Sequence, residues 1–301
     1  MIHEPSYIAL SKSGKLRETA NRLLKNLESC TLCPRQCKVN RLKGEMGICK
    51  TGRYASVSSV HAHFGEEPPL VGFNGSGTVF ITSCSLMCNF CQNYEVSHLG
   101  EGQEVPPVEF AAHILSLQWA GCHNINFVTP THVIPQIVEA VAIAVEQGLN
   151  IPLVYNSSGY DNPETLGLIQ GIFDIYMPDL KFFNPELSAE TCNAPDYADW
   201  AKNTLREMYR QVGDLQVDEQ EIAYRGLIVR HLVLPGQLSD TQNILTFIAE
   251  EISPLTYTNL MPQFRPCGAV SKHPVLGRRL TKQEFEQAQG YARSLGLRLA
   301  E

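Results

Sequence analysis

Three cysteines stand close together at Cys84, Cys88 and Cys91, in the spacing C-x3-C-x2-C. They follow directly on a short β-type run, Thr78–Thr82. Three thiolates on one tight loop can hold three corners of a cubane iron–sulfur cluster, which takes four cysteines when the protein supplies every ligand. The fourth is missing from this loop, so one iron would stay open to a ligand from outside the protein. Structural zinc is the competing reading. It wants a closed set of four ligands, and would have to borrow one such as His98 or Cys122.

A second set lies upstream, Cys30, Cys33, Cys37 and Cys49, spaced C-x2-C-x3-C-x11-C. Four soft ligands in a basic loop suit tetrahedral zinc. They suit an auxiliary [4Fe–4S] cluster equally, and spacing does not choose between them. Cys122, Cys192 and Cys267 are scattered and read as small core residues. The N-terminus lacks the unbroken apolar stretch of a secretion signal. The ten cysteines are therefore expected to be reduced, in the cytoplasm. No uncharged apolar run is long enough for a transmembrane helix. A net charge of −7 argues against a nucleic-acid partner.

Charge is unevenly spread. Residues 1–53 carry eleven Lys/Arg against four Asp/Glu, and residues 54–180 carry no base against twelve acids. A buried core with solvated acidic helices accounts for much of this. Lys181 ends the base-free stretch at the close of an apolar run. A lysine there is costly unless an anion pairs with it, and Asp179 is the internal candidate. Arg230 lies inside another apolar run. Its guanidinium can grip a carboxylate with two bonds, either a ligand's or that of an acid on a neighbouring strand.

Elements must position these residues. Short β-type runs fall at Thr78–Thr82, Asn124–Val128, Ile151–Asn156, Ile172–Met177, Leu227–Leu234 and Tyr257–Met261. Helical patterns lie between and after them, near Val108–Gly121, Ile134–Gln147, Pro163–Gln170, Tyr197–Val212, Asp240–Ile252 and Thr281–Leu295. Asp240 and Thr281 are N-cap types, and Thr281 with Glu284 spells a capping box. Repeated strand–helix units demand a parallel sheet. The fold class is α/β, and six such units over 76–301 can form a doubly wound sheet or a partial barrel. Residues 1–75 form a separate cysteine-bearing module, with 1–29 reading as one helix and 30–75 as loop-rich. In such sheets the site lies beyond the C-terminal strand ends.

The C-x3-C-x2-C triad, with Phe90 before its last cysteine, resembles the motif of the radical S-adenosylmethionine superfamily. Cys88-Asn-Phe-Cys91-Gln-Asn93 is similar to the C-x-[FY]-C-x-N of the pyruvate formate-lyase activating enzyme group. Asn156-Ser157-Ser158-Gly159 stands where those enzymes carry D-T-N-G. Asp174 to Lys181 resembles D-x-x-M-x-D-L-K, and Arg230 to Gly236 resembles R-x-x-V-x-P-G. The likeness covers roughly residues 76–296, and Cys-Pro-Arg near residue 34 extends it to the PflX-type subgroup.

The resemblance implies a partial (βα)6 TIM-type barrel, with a [4Fe–4S] cluster on Cys84, Cys88 and Cys91 that binds S-adenosylmethionine at its open iron. It implies reductive cleavage to a 5′-deoxyadenosyl radical that abstracts hydrogen. Lys181 and Arg230 become candidates for the methionyl carboxylate. Asn156, Ser157 and Ser158 become cofactor contacts, and Asp179 a contact that could also hold a monovalent cation. Where the activating enzymes place Gly-Gly-Glu on the methionyl amino group, this chain has Val128-Thr129-Pro130-Thr131-His132. Thr129 and Thr131 offer oxygens for that role, or cap the helix that follows. The implied partners are a flavodoxin- or ferredoxin-type donor and a glycyl radical enzyme, another peptide or a small molecule. A non-catalytic iron–sulfur or zinc protein is the rival class. A full set of motifs after successive strands disfavours it.

Overall fold

The structure is a computed structural model that describes residues 3–300. Nine strands are described: β1 Ala55–His63, β2 Ser76–Ile81, β3 Gln103–Val105, β4 Ile125–Val128, β5 Leu153–Ser157, β6 Ile175–Pro178, β7 Gln216–Val217, β8 Ala223–Leu232 and β9 Tyr257–Met261. They form one sheet in the order β3-β1-β2-β4-β5-β6-β8-β7, with β9 also paired to β8. Six of them, β2, β4, β5, β6, β8 and β9, are parallel neighbours in chain order. A doubly wound sheet reverses strand order at a switch point. This one does not, so the sheet is the wall of a partial (βα)6 barrel, as expected.

Parity along the strands confirms a wall with two apolar faces. On β5, Leu153 and Tyr155 pack into the main core, while Val154 joins a separate cluster. That second cluster also takes Ile175 and Met177 from β6 and Ile228 from β8. It is the inside of the barrel. Leu70 of the short helix α3 (Pro68–Val71) belongs to it and is fully buried. The loop after β1 therefore closes the barrel floor. Asn124 fixes it by donating to Leu70 O at 2.8 Å.

The helices preceding α3 are α1 (Ser6–Lys12) and α2 (Lys15–Lys25). Residues 1–29 are thus two short helices rather than one. Gly14 adopts φ +78°, a left-handed conformation that glycine tolerates and that ends α1. The later helices are α4 (Pro107–Trp119), α5 (Ile134–Glu146), α6 (Pro163–Leu168), α7 (Pro185–Cys192), α8 (Tyr197–Val212), α9 (Leu238–Phe247) and α10 (Lys282–Ser294). The Thr281–Glu284 capping box is present at α10. Asp240 is not an N-cap. It lies inside the first turn of α9, where its carboxylate accepts from the Phe183 N–H at 3.0 and 3.1 Å.

Strand β1 lies in the segment read as loop-rich and runs antiparallel to β2. Its alternation of Ser, Val and His has no apolar run to betray it. No helix among the described residues is long and apolar enough to cross a membrane.

Leu70→Ala would open a cavity under the barrel without touching the strand ends above. It should destabilise the protein by about 2–5 kcal/mol, read as a lower urea midpoint at unchanged slope.

Candidate functional site

The loop after β2 carries the three cysteines. Ser83 and Met87 adopt φ +72° and +56°, and these two left-handed residues turn the chain tightly around Cys84 and Cys88. Leu86 N–H points to Cys84 Sγ at 3.4 Å, and Ser97 Oγ donates to Cys91 Sγ at 3.2 Å. Phe90 anchors the loop by packing against Phe182 and Phe264. Burial pushes the Cys84 thiol up to about 12. Cys84 and Cys91 open on a cavity of about 270 Å³ that is also lined by Thr129, Asn93 and His61.

Two cysteines that read as core residues lie beside this loop. Cys192, at the end of α7, lies beside Cys88, and the two thiols couple so that Cys88 is pushed up and Cys192 down. Cys267 Sγ donates to Phe90 O at 2.9 Å. Neither position carried a spacing signal.

On the inner barrel face the charged candidates form one network. Lys181 Nζ donates to Asp179 Oδ2 at 2.6 Å, and Arg230 Nε to Asp179 Oδ1 at 2.9 Å. Arg230 also donates to Asn156 Oδ1 at 2.8 Å and to Glu66 at 3.2 Å. Burial opposes the charge of Lys181 and Arg230, but Asp179 outweighs it and raises both. Burial likewise opposes the charge of Asp179, and Arg230 and Lys181 hold its carboxyl below the usual range. Glu66 and Glu67 rise into this network from the barrel floor, and Glu67 accepts from Asn259 at 2.9 Å. Their sequence neighbourhood, between a histidine-bearing strand and two prolines, gave no hint of an inward-facing acid pair.

The hydroxyl candidates divide. Thr131 Oγ1 and Ser157 Oγ both donate to the buried carboxylate of Asp161, at 2.7 and 2.6 Å. Tyr155 adds a third bond at 2.7 Å. Asp161 thus ties the ends of β4 and β5 together. Thr131 does not cap a helix. Thr129 lines the cavity at φ +64°, where a β-branched residue is a strained outlier, and its N–H donates to Asn156 O at 2.8 Å. Ser158 Oγ is buried with no hydrogen-bond partner. Its carbonyl accepts from Tyr197 OH at 2.8 Å, and Tyr197 OH also takes the Lys181 N–H.

Cys30, Cys33, Cys37 and Cys49 line a common cavity of about 10 Å³. Among the described residues no three thiol, imidazole or carboxylate groups close on a single point. Ser85 of the triad loop and His132 complete the wall of that cavity, so the two cysteine sets are neighbours.

The network makes stability predictions. Asp179→Asn removes the anion that two buried cations share and should cost about 3–5 kcal/mol. Lys181→Met leaves Arg230 on Asp179 and should cost less, about 1.5–3 kcal/mol. Denaturant titration of both variants checks the order. Burial lifts Glu66 to about 7, with Arg230 opposing and Glu67 adding. A carboxyl raised on folding binds more protons folded than unfolded, so stability falls as pH rises from about 4.5 through about 7. Glu66→Gln should flatten that fall, measured by urea midpoints across the range.

A family model for the radical SAM superfamily matches residues 78–213. The chain is 31% identical over 292 residues to the uncharacterized protein MJ0674 of Methanocaldococcus jannaschii, across 94% of this chain and 78% of that protein. Among solved structures, the crystal structure of methylornithine synthase (PylB) aligns with a TM-score of 0.47 and 15% identity, over 73% of this chain and 68% of that one. The chain, with its cysteine triad on the loop after the first barrel strand, belongs to the radical SAM superfamily.

Proposed function

We propose that this chain cleaves S-adenosylmethionine reductively and acts like the glycyl-radical-enzyme activating enzymes it resembles. Superfamily membership implies a [4Fe–4S] cluster and S-adenosylmethionine. The observation that carries the reading is a cavity with Cys84 and Cys91 in one wall and Thr129 in the other. The residues fit the cluster. Three soft thiols share one loop, and burial makes Cys84 too weak an acid to ionise unless strong positive charge lies beside it. Cys84, Cys88 and Cys91 would hold the cluster, which would supply the electron for cleavage of the sulfonium C5′–S bond, giving methionine and a 5′-deoxyadenosyl radical that would take hydrogen from the substrate.

The chain's own part is to bind, orient and exclude water. Lys181 and Arg230 both stand at the strand ends, but they are not equally free. Every nitrogen of Arg230 already donates, to Asp179, Asn156 and Glu66. An ammonium has three donors, and Asp179 is the one side-chain acceptor that Lys181 holds. Lys181 can therefore take the methionyl carboxylate without leaving Asp179. Thr131 and Ser157 are committed to Asp161. Thr129 and the unpartnered Ser158 hydroxyl are the oxygens left for the amino group or ribose. The substrate is a peptide, in the activating-enzyme case a glycyl radical enzyme's flexible loop. The basic residues 1–53 suit an acidic flavodoxin- or ferredoxin-type donor. Unpaired thiols on this scale belong in a reducing cytoplasm.

Anaerobically reconstituted protein should hold about four irons on the triad. Changing Cys84, Cys88 and Cys91 to Ala should remove them, and zinc without iron at these positions would end the radical reading. Lys181→Met should keep the iron yet bind S-adenosylmethionine roughly 10- to 150-fold more weakly, the loss of one charge-assisted bond. Wild-type affinity in that variant, by anaerobic titration, would show that the carboxylate is held elsewhere.

A further inference from the structure

Arg35 sits between Cys33 and Cys37, yet its guanidinium points away from them into the triad loop. Nε donates to Ser85 O at 3.1 Å, and one terminal nitrogen donates to Leu86 O at 3.2 Å and Cys192 O at 2.7 Å. The other donates to Asn193 O. Ser85 and Leu86 lie between the ligands Cys84 and Cys88. Cys192 and Asn193 end α7, whose Thr191 O accepts from Asn89 N–H at 2.8 Å. One side chain thus staples the triad loop to α7 through four carbonyls. A lysine could not do this, because its ammonium lacks the planar fork.

What holds Arg35 itself is the loop of the four-thiol set. That loop is strained. Gln36 and Lys38 flank Cys37 at φ +40° and +56°, and Lys50 follows Cys49 at φ +50°. Non-glycine residues persist in this region only where their surroundings force them to. Gly47 is required where Cys37 approaches, since a Cβ there would meet Cys37 Sγ at 2.7 Å. The four thiols line one small cavity, and a closed set of four thiols on one loop module is the donor set of a structural zinc ion.

We propose that Cys30, Cys33, Cys37 and Cys49 take one zinc ion, and that this ion fixes Arg35 on the triad loop so that the radical centre can accept its cluster. Drawing four thiols onto one ion fixes both ends of the Cys33–Cys37 segment, and with them the origin of the Arg35 side chain. Arg35 is then a positioning residue. Dependence runs one way: the triad needs the zinc centre, and the zinc centre does not need the triad. The inference rests on the radical SAM reading only for what the triad binds.

The test is metal analysis and EPR on the full chain, produced anaerobically with zinc and iron supplied. Wild type should hold about one zinc and about four irons. The triple change of Cys84, Cys88 and Cys91 to Ala should lose the iron and keep the zinc. Cys33→Ser should lose the zinc and, with it, most triad iron and the reduced-cluster EPR signal. Arg35→Ala should keep zinc but hold triad iron against a chelator at least about tenfold less well, the equivalent of losing one charged bond. Arg35→Lys keeps a charge and stem beside the thiols, so it should keep zinc and fail to rescue the iron.

Full triad iron with a wild-type EPR signal in Cys33→Ser or Arg35→Lys would overturn the coupling. So would loss of both metals in both Arg35 variants. Iron and sulfide bound at the N-terminal set would overturn the single-ion assignment. A wild-type chain with zinc at the N-terminal set and no iron on the triad would instead sink the radical reading, and leave the zinc centre standing.

Discussion

Asp179, buried at the end of β6, is shared by Lys181 and Arg230, and that shared charge organises the mouth of the barrel. Lys181 and Arg230 are only 15% and 16% exposed, and two cations so shielded on an apolar wall need an anion to share. Through Arg230 the same carboxylate reaches Asn156 on β5 and Glu66 from the floor. Through Lys181 and Tyr197 it sets the turn after β5 against the turn after β6. Side chains that the sequence scatters over 165 residues are held as one body by an electrostatic account that nearly closes on itself. Asp161 does the neutral counterpart on the neighbouring strand ends, with three hydroxyls in place of two cations.

The parts legible in the sequence were those with a local signature. The triad spacing, the six parallel strands and the capping box at Thr281 depend on residues within a few positions of one another, and the structure has them. Lys181 was legible because a base was rare there. The pairs that depend on tertiary approach were not. Glu66 and Glu67 are inner-wall acids only because the loop after β1 folds under the barrel. Thr131 and Ser157 looked available for a ligand because the acid that claims them, Asp161, is four residues beyond one and thirty beyond the other. Strand β1 was missed because its serines and histidines leave no apolar run, and it joins the parallel strands antiparallel from outside the repeat. Gly14 hid the break between α1 and α2, since one glycine in a polar helical pattern is a weak signal.

The charge asymmetry of the chain has a spatial explanation. Residues 54–180 have no bases of their own, and the basic N-terminal segment supplies them. Arg35 serves Ser85 and Leu86, Arg41 serves His132 O at 2.7 Å, and Arg53 pairs with Glu139 at 2.8 Å. Arg17 pairs with Glu146 at the far end of α5. Arg35, Arg41 and Arg53 turn inward in this way, while the other bases of residues 1–53 stay exposed. Part of the segregation seen in one dimension becomes pairing in three, Arg17 with Glu146 and Arg53 with Glu139.

The inward-turned arginines also impose an order on synthesis. A ribosome delivers residues 1–53 first, but the groups they must bind come later. Ser85 lies 50 residues beyond Arg35, and Asn193 lies 158 beyond it. Until α7 has emerged, the four thiols of the first cysteine set hang from a cationic strand with no wall to rest on. Contacts of such long sequence separation also close slowly. The nascent chain thus passes through an interval in which its first four thiols lack the contacts that later cover them.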